Sequence, residues 1–207
     1  MEDHNEINCW HRFIIQGEID ALSEIYRLYI NDLFSYGMKI HPDRNIVKDA
    51  IQDVFIHLIE KQNQIKLTDK VKVYIFKSLR NKILENLRTR NRKNNIEIAL
   101  SQSINSLEKD VEQKIISSEE EQAYKDIIEL AIQSLSVHQK EAIFLRYTND
   151  CDYEQISEIL GIDVSSSRTL IYRSLKQIKA FIREKCNFRH DLVKVKNAIK
   201  SRNSIIS

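Results

Sequence analysis

At 207 residues the chain can form one large domain or two small ones, since domains usually run about 100 to 150 residues. Three glycines and one proline are too few for the tight turns of a β-sandwich or barrel, and no apolar run approaches the roughly 18 residues needed to cross a bilayer. The net charge of +2 hides two basic stretches: ten Lys or Arg against Asp69 and Glu85 between Lys66 and Lys93, and eleven against Glu184 and Asp191 between Arg168 and Arg202. Two separate cationic segments on a nearly neutral chain predict two contacts with polyanions. With 42% apolar residues to build a core, an all-α fold is expected. The acidic N-terminal stretch Met1–Trp10, with Glu2, Asp3 and Glu6, lacks the form of a secretory signal, so a cytoplasmic chain is expected. Cys9, Cys151 and Cys186 are odd in number and widely spaced, which suggests reduced thiols and neither a disulfide framework nor a zinc site.

In chain order, Phe13, Ile14, Leu22, Ile25, Tyr26, Leu28, Tyr29, Leu33 and Phe34 recur at helical spacing. His41-Pro42-Asp43 interrupts them, because the residue before proline avoids the helical region and Asp43 can cap a new helix. That helix starts near Arg44. Val47, Ala50, Ile51, Val54, Phe55 and Leu58 form its apolar stripe, leaving Asp49, Gln52, Asp53, Ile56 and Glu60 on the other side. After the polar stretch Gln62–Asp69 another helix is predicted from about Lys70 to Arg92, with core positions Val71, Ile75, Leu79, Ile83 and Leu87. The segment from 94 to 118 is a linker in composition. Fully extended it spans about 80 Å, and as a flexible coil about 28 Å. Beyond it, Ala123–Leu135 and Gln139–Tyr147 read as two short helices.

Tyr153–Ile182 reads as helix, turn, helix. Ile156, Ile159 and Leu160 supply an apolar face, Gly161 permits a helix terminus, and Ser165 or Ser166 is expected to cap the second helix. On that helix Ile171, Leu175, Ile178 and Ile182 share one stripe, while Arg168, Tyr172, Lys176, Lys179 and Arg183 recur on another. A recognition helix in a major groove places its N-terminal side chains on base edges and its remaining cations on phosphates. Arg168 and Thr169 are the candidate base readers, and Arg173 and Lys176 the candidate phosphate anchors, with Ser166, Ser167 and Tyr172 on the same segment. In the first basic helix Tyr74 and Phe76 interleave with Lys72, Lys77, Arg80, Asn81, Lys82 and Arg88. This mixture of stacking surface and cationic charge suits single-stranded DNA.

DAIQDVFIHLIEK (Asp49–Lys61), VKVYIFKSLRNKILENLR (Val71–Arg88), and LSVHQKEAIFLRY followed by YEQISEILGI and YRSLKQIK together resemble the extracytoplasmic-function (ECF) sigma factors of the sigma-70 family. The resemblance covers about residues 6–183. It implies two small helical domains joined by a flexible linker, the C-terminal one a helix-turn-helix: a polymerase-docking and −10-element domain (1–93), the linker (94–118), a −35-element domain (119–185) and a basic tail (186–207). The implied partners are promoter DNA and core RNA polymerase, through its β′ clamp helices and β flap. A regulating anti-sigma factor is a further implied partner, and no direct membrane insertion is implied. Asp49, Gln52, Asp53 and Ile56 correspond to the clamp-binding helix, and the candidate residues on the two basic helices to the −10 and −35 contacts. The −10 bases are expected against the loop from about Gln64 to Asp69 and the start of the following helix. One departure stands out: the family often has a small residue, then Thr and an apolar residue, where this chain has Ser165, Ser166 and Ser167, so a buried apolar contact is expected to be missing. No cofactor, metal or catalytic residue is implied. His4, His11, His41, His57, His138 and His190 show no clustering with Ser or Asp that a nucleophilic site needs, and Cys186 with His190 makes only two ligands. The alternative reading is a helix-turn-helix regulator that binds duplex DNA on its own.

Overall fold

The computed structural model describes the backbone of residues 2–97 and 119–203 and the side chains of residues 5–90 and 126–185. Eight α-helices and one short 3-10 turn order these residues, with no strand among them: α1 (Glu2–Gln16), α2 (Ile19–Ile40), α3 (Arg44–Glu60), the turn Gln62–Gln64, α4 (Val71–Glu97), α5 (Glu119–Gln133), α6 (Val137–Tyr147), α7 (Tyr153–Leu160) and α8 (Val164–Asn203). The expected linker lies mostly outside the described residues. Helix α8 runs on past 185, through the expected start of the basic tail.

The first four helices pack as a bundle. α1 and α2 are separate because Gly17 takes φ +74, a conformation that costs glycine little. The Gln62 side-chain amide donates to the carbonyls of Phe13 (2.9 Å) and Ile14 (3.0 Å), satisfying the last turn of α1. The break before α3 falls where the proline places it, and Asp43 caps the helix by accepting from Asn45 N at 2.9 Å and Ile46 N at 3.3 Å. At Gly37 the backbones of α2 and α3 approach closely, since a Cβ there would lie 2.5 Å from Val47 Cγ1. All six residues of the predicted α3 stripe are buried, as are Val71, Ile75, Leu79 and Ile83 of α4, whereas Leu87 is half-buried. Trp10, Phe13, Leu33, Tyr36 and Phe76 fill the centre. Tyr26 and Leu28, which recur at helical spacing with the others, are exposed at 41% and 49%, because the stripe of α2 that packs inward is Leu22, Ile25, Tyr29, Leu33 and Tyr36.

Helices α5 to α8 form the second unit. Ser136 and Asp152 each open a helix with a reciprocal capping box, to Gln139 and Gln155, which satisfies amides that would otherwise be orphaned. Gly161 ends α7 in the left-handed conformation, φ 68 and ψ 41. One core runs continuously through both units: Phe144, Leu145, Cys151, Ile156 and Ile159 join the cluster that holds Tyr36 and Phe76. Helix α6 lies against α2, and α7 against α4.

Candidate polymerase and nucleic-acid interfaces

On α3 the residues opposite the apolar stripe form a continuous outward strip. Asp49, Gln52 and Ile56 are exposed, Ile59 adds a second exposed isoleucine, and Asp53 is partly covered. The cover is Lys82 of α4, whose ammonium lies 3.4 Å from Asp53 Oδ2. A residue expected at the polymerase and one expected at DNA are thus paired with each other in this structure.

Helix α4 divides its candidate residues between two faces. Lys77, Asn81 and Arg88 lie on the outward side, and Tyr74 is half-buried with its ring 5.3 Å from Trp10. Burial pushes the Tyr74 phenol pKa up. Lys72, Phe76 and Arg80 follow one another at intervals of four and so share a stripe, which turns inward. Phe76 is fully buried, its ring 6.1 Å from Tyr29 and 5.3 Å from Tyr36. It is a core residue and offers no face to a base, which corrects the expectation of a stacking platform there. Arg80 is 8% exposed and donates from Nε to Glu141 Oε2 at 2.7 Å. Lys72 is partly buried and donates to the carbonyl of Asn149.

Beside the outward face of α4 lies an open cavity of about 500 Å³, large enough for a nucleobase. His57 and Lys61 at the end of α3, Gln64, Lys66 and Thr68 of the connecting segment, and Tyr74 and Lys77 of α4 line it, and Glu158 of α7 stands at its wall. The loop expected to read bases supplies part of this lining. His57 and Lys61 were missed by sequence reasoning; their spacing of four residues at the C-terminal end of α3, next to the polar loop, is the signal that could have found them.

In the second unit Ser166, Arg168, Thr169, Tyr172, Arg173 and Lys176 line the outward side of the first turns of α8. The Arg168 guanidinium sits 5.3 Å from the Tyr153 ring centre, with Arg146 at 5.1 Å, so two cations flank one aromatic ring. Helix α8 begins at Val164, one residue before the serine run, which places Ser165 and Ser166 inside its first turn and corrects the expectation that either is the N-cap. Ser167 is fully buried, with its hydroxyl 2.8 Å from the carbonyl oxygen of Val164 and 3.1 Å from that of Tyr153. The position where an apolar contact was expected to be missing is therefore filled by a hydrogen-bonded hydroxyl, and Ser167 has no surface for DNA. Ile171 and Ser174 continue this buried stripe, with Leu175, Ile178 and Ile182 half-buried along it.

Comparison with known proteins agrees with this geometry. Residues 25–93 match the family model for sigma-70 region 2, and residues 125–178 that for sigma-70 region 4. The ECF RNA polymerase sigma factor SigM of Bacillus subtilis (strain 168) is 24% identical over 165 residues, covering 77% of this chain and 94% of that protein. The RNA polymerase sigma factor YlaC of the same organism is 20% identical, covering 77% and 91%. Among solved structures, the sigma factor RpoE in complex with the anti-sigma factor NepR from Bartonella quintana matches with a TM-score of 0.61 at 19% identity, over 78% of this chain and 96% of that one. CnrH in complex with the cytosolic domain of CnrY matches with a TM-score of 0.59 at 13% identity, over 87% and 98%. A two-unit helical protein with region 2 followed by region 4 is a sigma factor in organisation. The chain belongs to the sigma-70 family of RNA polymerase sigma factors, in its ECF group. Among the described residues no helix is long and apolar enough to cross a membrane, and no group of three or more potential ligands could hold a metal ion.

Proposed function

We propose that the chain acts as a dissociable specificity subunit, docking on core RNA polymerase through α3 and directing initiation at promoters with −10 and −35 elements. The observation that carries this reading is the coexistence, on one chain and in family order, of three distinct faces: the acidic and amide strip of α3, the cationic cavity beside α4, and the cationic start of α8. Asp49, Gln52 and Ile56 offer carboxylate, amide and aliphatic groups to a partner that carries complementary donors, here the β′ clamp helices. At the cavity His57, Lys61, Lys66, Tyr74 and Lys77 receive an unpaired base and its phosphates. Aromatic stacking returns about 1–3 kcal/mol per base, enough to trap a strand once the duplex opens without a nucleotide-driven step. In the second unit Arg168 and Thr169 address base edges at the −35 element, while Arg173 and Lys176 hold phosphates. The reading also includes the β flap as a contact of region 4 and an anti-sigma factor as a regulator.

Run-off transcription with purified core enzyme, with mapping of the start sites, tests the reading. Core-dependent initiation at sites that share two upstream elements about two helical turns apart supports it. Symmetric operator binding by the free protein, with no effect on initiation, overturns it in favour of an autonomous helix-turn-helix regulator.

A further inference from the structure

Trp10, His11, Phe13 and Ile14 of α1 touch the loop or the wall of the cavity beside α4, and none of them lines the cavity itself. Phe13 and Ile14 act through their backbone. Their carbonyls accept from the Gln62 side-chain amide at 2.9 Å and 3.0 Å, which fixes the start of the segment Gln62–Asp69. His11 fixes its end: Nε2 lies 3.1 Å from Asp69 Oδ1, and because an ionised carboxylate only accepts, the ring nitrogen is the donor. Trp10 stands behind the wall, fully buried, with its ring 5.3 Å from that of Tyr74, which lines the cavity.

Between the two ties the segment is two-sided. Gln62, Ile65 and Thr68 are half-buried at intervals of three, whereas Asn63, Gln64, Lys66 and Leu67 are exposed. Ile65 packs against the core, and Thr68 Oγ1 accepts from the Lys70 amide at 3.1 Å where α4 opens. The amides of Gln64 and Ile65 donate to the carbonyls of Lys61 and Gln62 at 2.8 Å and 3.2 Å. An untied segment samples many backbone conformations; tied at both ends, this one presents Gln64, Lys66 and Thr68 to the cavity in one arrangement. The His11–Asp69 pair, with Asp69 75% exposed, contributes little to stability. What it supplies is the direction in which the loop enters α4.

We propose that α1 is a positioning element for base reading. Gln62 and Asp69, tied to Phe13, Ile14 and His11, hold the two ends of the loop, and Trp10 holds Tyr74, so that an unpaired −10 base meets a preset cavity. These α1 residues lie before residues 25–93, which match sigma-70 region 2, so the family match does not include them. The functional consequence rests on the reading of this cavity as the −10 site; the ties themselves do not. A recognition site must be held to within about 0.5 Å by the residues that support it, so loosening α1 flattens base preference more than it weakens binding.

Hydrogen exchange in the free full-length chain tests the ties without DNA. Gln62→Met keeps the length of the side chain and removes its donor. It should speed exchange at the amides of Gln64 and Ile65 by about tenfold or more, with α3 and α4 at native rates; native exchange at those two amides overturns the proposal. Run-off transcription with core enzyme then tests the consequence. The ratio of initiation from a preferred −10 sequence to initiation from its single-base variants should fall about threefold in Gln62→Met and in His11→Ala, and about tenfold in the double variant. Association with core polymerase should stay native. His11→Gln, which restores an N–H donor at similar reach, should recover the ratio lost in His11→Ala, whereas a loss of stability alone lowers initiation from all these promoters alike. A native ratio in the double variant overturns the positioning role. If Gln62→Met does not fold, His11→Ala decides, and a native ratio there overturns it. A native chain that shows no −10 preference with core enzyme overturns the reading of the cavity and with it the role of α1, leaving only the ties.

Discussion

The outer strip of α3 and the inner stripe of α4 are adjacent helices of one bundle with opposite circumstances. Asp49, Gln52 and Ile56 meet solvent, and their removal leaves the core untouched, whereas Lys72 and Arg80 are committed to atoms of the second unit. The difference is one of electrostatics in different media. An exposed carboxylate interacts weakly with everything at a distance and is free for a partner. A guanidinium 8% exposed, 2.7 Å from a carboxylate 1% exposed, has given up hydration for a single strong contact. A function placed on α3 is therefore available at once, while one placed on the inner stripe of α4 needs a change of arrangement first.

The sharpest way to break that contrast is to unpair the buried charges. Glu141→Ala should cost about 3–5 kcal/mol, since it strands Arg80 in the seam, and chemical denaturation reads the loss; the double replacement of Arg80 and Glu141 by leucine should recover most of it. Gly37→Ala should come next at about 1–3 kcal/mol, because its Cβ meets Val47 Cγ1, with partial recovery on adding Val47→Ala. On the exposed side, Asp49→Lys should leave stability within about 0.5 kcal/mol of native. It should nonetheless weaken association with core polymerase about tenfold, through a like-charge contact, as titration by fluorescence anisotropy would show. Lys176→Ala should weaken −35 duplex binding evenly across sequences and reduce the salt slope by about one. The smallest effect concerns Tyr36. Burial, and then Glu141, hold its phenol pKa well above the usual value, so the neutral form belongs to the folded state. The stability this gives is complete below the unfolded pKa near 10 and is lost as pH rises from there towards the folded pKa. Tyr36→Phe should flatten the alkaline limb of a stability-against-pH curve.

Much of this was legible from period and punctuation. The apolar stripe of α3 fell inside at every position, and Pro42 and Gly161 ended helices as their backbone chemistry requires. The all-α class came from the same signals, whereas the order of the two units rested on the resemblance to the sigma-70 family. What escaped depends on residues far apart in the chain. Gly17 separates α1 from α2 with the help of Gln62, about fifty residues beyond Phe13, which no local pattern reveals. Tyr74 and Phe76 are alike in composition and only two positions apart, yet two residues on a helix point about 200° apart, so one lines a cavity and the other is core. The serine run looked like a cap, whereas burial of Ser167 draws the start of α8 back to Val164. Glu141 did leave a trace: it is an acidic residue set four positions before Leu145 on an apolar stripe, which marks a buried charge but not its partner. Lys72 and Arg80 read as DNA-binding cations, because the pattern of α4 alone does not show the second unit that covers them.

The central claim is that the chain directs initiation only as a subunit of core polymerase, docked through the exposed strip of α3. Its most direct test is run-off transcription from one promoter by core enzyme alone, with the native chain, and with Asp49→Lys at the same subsaturating concentration. The account predicts initiation with the native chain, none from core enzyme alone, and about tenfold less with Asp49→Lys. Failure of the native chain to support initiation, or initiation with Asp49→Lys equal to native, would contradict it.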